Sequence, residues 1–236
     1  MGNREGGESR AGDGRRMGAP LSFGFPARTA MLKLYYAPGT CALASHIALQ
    51  EAGAAYTAER LDFKANQQNS PEYLAINPKG RVPSLVTERG ILTETPAMLA
   101  FIAQSFPQAQ LAPLDDAFAF AQVQAFNSYL CSTVHVNHAH KGRGYRWATA
   151  ETSFADMKSK VPETMSAAFA LIERNMLKGP WVMGDSYTIC DPYLFTLSGW
   201  LQGDSVDIST LPKVADHRRR MAERPAVRKV LADEQG

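Results

Sequence analysis

The segment Leu32-Lys33-Leu34-Tyr35-Tyr36 alternates in β-prone residues and predicts a strand. Ala37-Pro38-Gly39-Thr40 follows as a turn. Good helix formers then run from Cys41 to Ala52 and stop at Gly53, a residue suited to a C-terminal cap. Tyr56 to Leu61 reads as a second strand and Asp62 to Ser70 as a polar loop. A short helix begins at Ser70-Pro71-Glu72 and ends near Ile76-Asn77-Pro78. Val82-Pro83-Ser84-Leu85-Val86 and Gly90-Ile91-Leu92-Thr93, joined by Thr87-Glu88-Arg89, have the spacing of a hairpin. A helix from Thr95 to Phe106 carries Pro96 in its first turn, where proline is tolerated. The order β-α-β-α-β-β-α is a right-handed βαβ unit followed by a hairpin, which makes a small mixed sheet.

Beyond Pro107 the period changes. Gln108 to Asp116 reads as a linker containing Pro113, and every later pattern is helical. Phe118, Gln122, Ala125, Phe126 and Tyr129 recur at helical spacing. Phe154 to Met176 predicts a second long helix, interrupted early by Pro162. Thr188 to Gln202 predicts a third, and residues 211–233 one or two more, broken near Pro225. There are no internal repeats. The pattern divides the chain into an α/β domain over residues 31–109 and an all-helical domain over 117–236, with residues 1–30 set apart as a leader.

Composition narrows the function classes. A chain of 236 residues, 45% apolar and 20% charged, builds an ordinary globular core of one or two domains. No apolar run approaches the ~18 residues of a membrane span. The leader places Arg4, Arg10, Arg15, Arg16 and Arg28 against Glu5, Glu8 and Asp13, which accounts for the whole formal charge of +2. The body is neutral and offers no electrostatic case for a nucleic-acid partner. The basic run His217-Arg218-Arg219-Arg220 reads as the solvated face of a late helix. Cys41, Cys131 and Cys190 are odd in number and far apart, which argues against a disulfide framework and fits a reducing cytosol. The leader is rich in Gly and Arg, lacks periodicity and is expected to be disordered. Leu21 to Pro26 is too short for a secretory core, Gly6 stands where myristoylation wants Ser or Thr, and the acids tell against a transit peptide. It is read as an upstream extension, with Met17 or Met31 the true start.

Three features carry chemistry. Cys41 lies where a turn feeds a helix, and the N–H groups and partial positive charge of a helix start favour a thiolate. The alternative is a buried, inert cysteine. Position 44 is alanine, so a C-x-x-C dithiol is excluded while monothiol chemistry is not. In Asn77-Pro78-Lys79-Gly80-Arg81-Val82-Pro83, a cis Val82–Pro83 bond would present the Val82 backbone to a short extended peptide. The alternative is an ordinary edge-strand proline. In Leu92-Thr93-Glu94-Thr95-Pro96, Glu94 can receive an ammonium group, and Thr95 at a helix start can receive a carboxylate or simply cap the helix.

In this order the three features resemble the glutathione S-transferases, above all the bacterial beta class. The matching stretches are Lys33 to Cys41, Leu74 to Pro83, Leu92-Thr93-Glu94 and Gly184 to Phe195. In the last, Thr188 caps a helix and Asp191 reaches back, a folding element and not a catalytic one. The resemblance implies a thioredoxin-like N-terminal domain, a helical C-terminal domain and a cytoplasmic homodimer. It implies glutathione beside Cys41, paired with the Val82 backbone at Pro83, its head group on Glu94 and Thr95. It further implies Asn127, Ser132 and His135 facing the cofactor, His135 orienting it or stabilising charge, and Trp200 lining the pocket of a small apolar electrophile. Two positions depart from the class: Asn66 stands where a lysine is usual, with Lys64 displaced, and Val136 stands where a lysine often follows the histidine.

The stretch His135 to Trp147 looks longer and more basic than usual, with His138, His140, Lys141, Arg143 and Arg146. Cys131, His135 and His138 have the spacing of one helix face and are zinc-ligand types, but three ligands on one helix converge poorly. A pocket wall that stabilises negative charge and a plain surface loop are the other readings, and no metal is assigned. The functional expectation is a glutathione transferase. A monothiol glutathione-dependent reductase using Cys41, or a non-catalytic binding protein, are the alternatives.

Overall fold

The structure is a computed structural model that describes residues 31–235; the readings of the leader and its start site lie outside these residues. Strands β1 (Leu32–Tyr36), β2 (Tyr56–Arg60), β3 (Ser84–Thr87) and β4 (Gly90–Thr93) form one sheet in the order β2-β1-β3-β4. β1 pairs parallel with β2, Leu32 opposite Tyr56, and antiparallel with β3, Tyr35 opposite Ser84. The hairpin β3–β4 closes on Thr87 opposite Gly90. Residues alternate across a strand. Leu32, Leu34 and Tyr36 therefore face helix α1 (Ala42–Glu51), where the Tyr36 and His46 rings lie 5.1 Å apart. Tyr35 faces the other way, onto Tyr73 of α2 (Pro71–Ile76), at 5.6 Å. Helix α3 (Thr95–Ser105) packs beside α1, burying Met98, Leu99 and Ile102.

The helical region begins with α4 (Ala117–Tyr129), whose start is capped by Asp116 accepting from the Phe118 and Ala119 N–H groups at 2.9 Å each. A π-helical turn, Leu130–Val134, joins α4 to α5 (His135–Arg143) without a break. The buried face of α4 is Val123, Phe126 and Asn127. Phe118 is 74% exposed, so the residues noted at helical spacing share only Phe126 with the true core face. Helix α6 (Glu151–Leu171) runs straight through Pro162, which does not interrupt it. Helix α7 (Cys190–Ser198) is buried along its whole length and gives way to turns before Gln202, shorter than its sequence pattern. Helices α8 (Pro212–Glu223) and α9 (Pro225–Gln235) divide at Arg224, as the proline suggests.

The run at 217–220 is not one solvated face. His217 is 1% exposed, with Nε2 3.0 Å from Asp191 of α7, and Arg218 donates to the Phe195 carbonyl at 2.7 Å. Only Arg219 and Arg220 are solvated, each paired with Asp216. The two regions are tied through α1. Buried His46 meets Glu234 of α9 at 3.0 Å, and Glu51 holds Arg224 in a bidentate pair at 2.6 and 2.8 Å. No helix of the described residues is long and apolar enough to cross a membrane.

Candidate active site

The turn after β1 delivers Cys41 to the start of α1. The Thr40 hydroxyl donates to the Ala37 carbonyl at 2.7 Å and accepts from the Ala42 N–H at 3.3 Å, so Thr40 and not Cys41 caps the helix. The Cys41 thiol donates to the Val82 carbonyl at 3.6 Å. Burial pushes this thiol up to about 11, and the Thr95 hydroxyl and the Arg143 charge pull back less strongly. The expected thiolate is therefore not favoured: loss of water around the sulfur outweighs the helix start.

Val82 is presented by a braced loop. Asn77, 1% exposed, donates from Nδ2 to the Arg81 carbonyl at 2.7 Å and to the Ser84 hydroxyl at 3.1 Å. The Tyr73 hydroxyl donates to the same carbonyl at 2.7 Å. Gly80 has φ +59°, which favours glycine, and a Cβ there would also have to displace the Asn69 side chain, whose Oδ1 would lie 2.7 Å away. The Val82–Pro83 bond is cis. The β3 ladder starts at Ser84, which leaves the Val82 backbone outside the sheet's own pairing.

Glu94 occupies φ 73°, ψ 118°, a conformation that non-glycine residues adopt rarely and mostly at functional sites. Its carboxylate is held by the Lys79 ammonium, which also donates to the Thr93 hydroxyl at 2.7 Å. Thr95, 5% exposed, is the first residue of α3. Cys41, Val82, Pro83, Glu94 and Thr95 all line one cleft of about 380 Å³.

The facing wall comes from the π turn and α5. Cys131, His135, Val136 and Ala139 line the cleft, with Tyr193 of α7 at its back and Arg81, Arg146 and Trp147 at its mouth. Burial, followed by the charges of Arg143, His138, Arg146 and Arg81, drives His135 down to about 4, so its imidazole is neutral near pH 7. The stretch from 135 is thus a helix and pocket wall rather than a surface loop.

Three residues tied to this site by sequence do not line the cleft, though the Trp200 ring packs 5.1 Å from that of His135. Ser132 is exposed and does not line the cleft, because it follows Cys131 around the helix, and Cys131 is the one that points in. Asn127 is fully buried one turn earlier, with no hydrogen-bond partner for its side-chain amide among the described residues. Trp200 donates from Nε1 to the Gly39 carbonyl at 3.2 Å and lines a separate pocket of about 280 Å³. The His138 ring stacks on it at 4.2 Å while Nδ1 meets Asp204 at 2.7 Å. His138 is thus engaged away from Cys131, and no group of three metal-ligand side chains forms among the described residues. Sequence reasoning overlooked Arg81 and Tyr193. Arg81 follows directly from its place before Val82; Tyr193 carries no local signal, since only the packing of α7 brings it in.

Residues 30–104 match the profile of the glutathione S-transferase N-terminal domain. Over 206 residues the chain is 32% identical to glutathione S-transferase GstA of Escherichia coli O157:H7, covering 86% of this chain and 98% of the relative. The chain belongs to the glutathione S-transferase family. A glutathione transferase homologue from Sulfitobacter with bound glutathione superposes with a TM-score of 0.84 at 46% identity, covering 86% of this chain and 98% of that one. A beta-class transferase from Sphingomonas chungbukensis superposes with a TM-score of 0.75 at 30% identity, covering 86% and 98%. Against this family, the two departures separate. Asn66 sits at φ 59° with its side-chain oxygen taken by Gln68 and Asn69, at 2.8 and 2.6 Å, and does not line the cleft. Val136 does line it, where it presents an apolar surface.

Proposed function

We propose that this protein is a transferase that binds glutathione in the cleft and joins its sulfur to a small electrophile. The observation that carries this reading is the convergence of Cys41, Val82, Pro83, Glu94 and Thr95 on one cavity. The donor set fits a γ-glutamyl tripeptide. The Val82 backbone pairs with its cysteinyl unit, Glu94 takes the ammonium, and Thr95 with the α3 start takes the carboxylate. When bound, glutathione supplies the nucleophilic sulfur. Cys41, protonated over the working range, can turn its S–H from the Val82 carbonyl to that sulfur at the α1 start. Neutral His135 offers a hydrogen bond from the facing wall without adding charge. In this reading Cys41 is a positioning donor and not the attacking group.

The raised Cys41 pKa is also what tells against the monothiol reductase reading, since thiol exchange needs a thiolate. Assays of wild type and Cys41→Ala, with an aromatic halide and with a glutathione mixed disulfide, separate the readings. Wild type is expected to conjugate the halide, and Cys41→Ala to keep a reduced but measurable rate. A wild type that reduces the mixed disulfide and conjugates nothing would make the reductase the better account. Failure to bind glutathione at millimolar concentration would reject both. We further propose a homodimer, in which a second copy covers apolar side chains such as Phe118, 74% exposed, and Ile91, 43% exposed. Sedimentation at micromolar concentration tests it.

A further inference from the structure

Arg81, Arg143 and Arg146 surround the same cleft, and none has a carboxylate partner or a side-chain hydrogen bond among the described residues. Arg81 and Arg146 line it directly. Arg143 stands behind them, near enough to Cys41 and His135 for its charge to act on both. Arg143 is also partly buried, and its own pKa is lowered first by that burial and then by Arg146. Arg81 and Arg146 are exposed at the cleft and Arg143 is half-buried, so the cost of leaving a guanidinium without an acid falls mainly on Arg143. The single carboxylate in the lining, Glu94, is already held by Lys79. By contrast, Arg224, the half-buried arginine beside α1, is matched by the carboxylate of Glu51. The cleft thus presents unneutralised positive charge to a ligand, at Arg81, at Arg146 and at the half-buried Arg143.

Resting on the transferase reading, glutathione accounts for part of this. One of its carboxylates goes to Thr95. The other needs one cation, and Arg81, adjacent to Val82 on the glutathione side, is placed for it, since Asn66 cannot serve. Arg143 and Arg146 remain. Both belong to the helical region, at the end of α5 and in the 3₁₀ turn Gly144–Arg146, beside the half-exposed Trp147. We infer that the second substrate is an aromatic electrophile bearing a carboxylate, held by Arg143 and Arg146 with its ring against Trp147. The wholly apolar electrophile expected from the resemblance does not use this wall.

A matched pair of substrates tests it: a chloro-dinitrobenzoate and its methyl ester, each kcat/KM divided by the uncatalysed rate with glutathione. Wild type is expected to favour the acid at least tenfold, and the preference is expected to shrink as salt is raised. Arg146→Gln, at an exposed position, and Arg143→Gln with Arg146→Gln should each cut the preference severalfold or more, the acid losing far more than the ester. Arg81→Gln should weaken glutathione binding and leave the preference in place. A wild-type ratio near one, or a ratio unchanged in both arginine variants, overturns the inference. Calorimetry with glutathione on the same proteins distinguishes the causes. A wild type that binds glutathione but shows no preference rejects this inference alone; one that binds none rejects the transferase reading and this inference together.

Discussion

The Cys41 thiol donates to the Val82 carbonyl, 3.6 Å away, linking the start of α1 to the cis-proline loop. A carbonyl has two lone pairs, so this contact leaves one free for a ligand N–H. Without a ligand it gives the S–H an acceptor in the cleft wall. With the thiol pushed up to about 11, Cys41 at pH 7.5 should hold roughly a hundredfold less thiolate than a free cysteine. Alkylation by iodoacetamide, followed at the peptide level by mass spectrometry, should therefore be slow at neutral pH. It should speed up about tenfold per pH unit until roughly the pKa. Rapid labelling of Cys41 at pH 7 would contradict the protonated thiol.

Glu94 enters binding already paired. Its carboxylate must exchange the Lys79 ammonium for that of a ligand, and an exposed pair of this kind contributes only about 0–1 kcal/mol. Lys79→Ala should thus change glutathione affinity by no more than about fivefold, in the direction of tighter binding. Glu94→Gln removes the only carboxylate of the lining and should weaken binding by about tenfold or more, the worth of a charged hydrogen bond. Calorimetric titration of both variants measures the contrast. Equal losses would mean that Lys79, not the ligand, is the partner that matters.

How far the sequence carried the site depends on where each residue's neighbours lie. Cys41, Val82, Pro83, Glu94 and Thr95 were legible because each sits at a strand-to-helix junction or a proline turn, whose local chemistry announces it. The element order and the mixed character of the sheet followed from the same local signals. The helical wall was less legible. Spacing put Cys131 and His135 on one helix face, and both line the cleft, whereas Ser132, implied only by the resemblance, does not. His217 and Arg218 read as surface because their partners, Asp191 and the Phe195 carbonyl, are contributed by α7, distant in sequence. Cys41 stayed open between a thiolate and an inert thiol for a related reason: a helix start is visible in sequence, and the burial that opposes it is not.

His135 supplies a pH test. Its folded pKa, about 4, lies below the 6.5 of the unfolded chain, so the folded state resists protonation. Stability from this group is fully present above pH 6.5 and is lost as pH falls from there through about 4, on the order of 3 kcal/mol in total. Urea denaturation at pH 7.5 and 4.5 should show His135→Gln losing less stability between the two than wild type. The conjugation rate should show no inflection from this residue between pH 5.5 and 8. An inflection near 6.5 that disappears in His135→Gln would place the imidazole in water.

The buried carboxylate of Asp191 gives the last contrast, between folding and chemistry. Oδ1 accepts from the Val182 N–H at 2.8 Å and from His217 Nε2 at 3.0 Å. Oδ2 accepts from the Thr188 N–H at 2.7 Å and, more weakly, its hydroxyl at 3.3 Å. Four donors from three segments converge on one group with no exposed surface, so its removal strands several at once. Asp191→Ala should cost about 3–5 kcal/mol in urea denaturation, the usual penalty for breaking a buried, hydrogen-bonded charge. Glu163→Ala, which removes the exposed pair with Lys160 on α6, should stay within about 0.5 kcal/mol. Because Asp191 lies outside the cleft, whatever Asp191→Ala protein folds at low temperature should bind glutathione with near wild-type affinity. A variant of full stability, or one that is stable yet fails to bind, would mean that this carboxylate acts on the site and not on the fold.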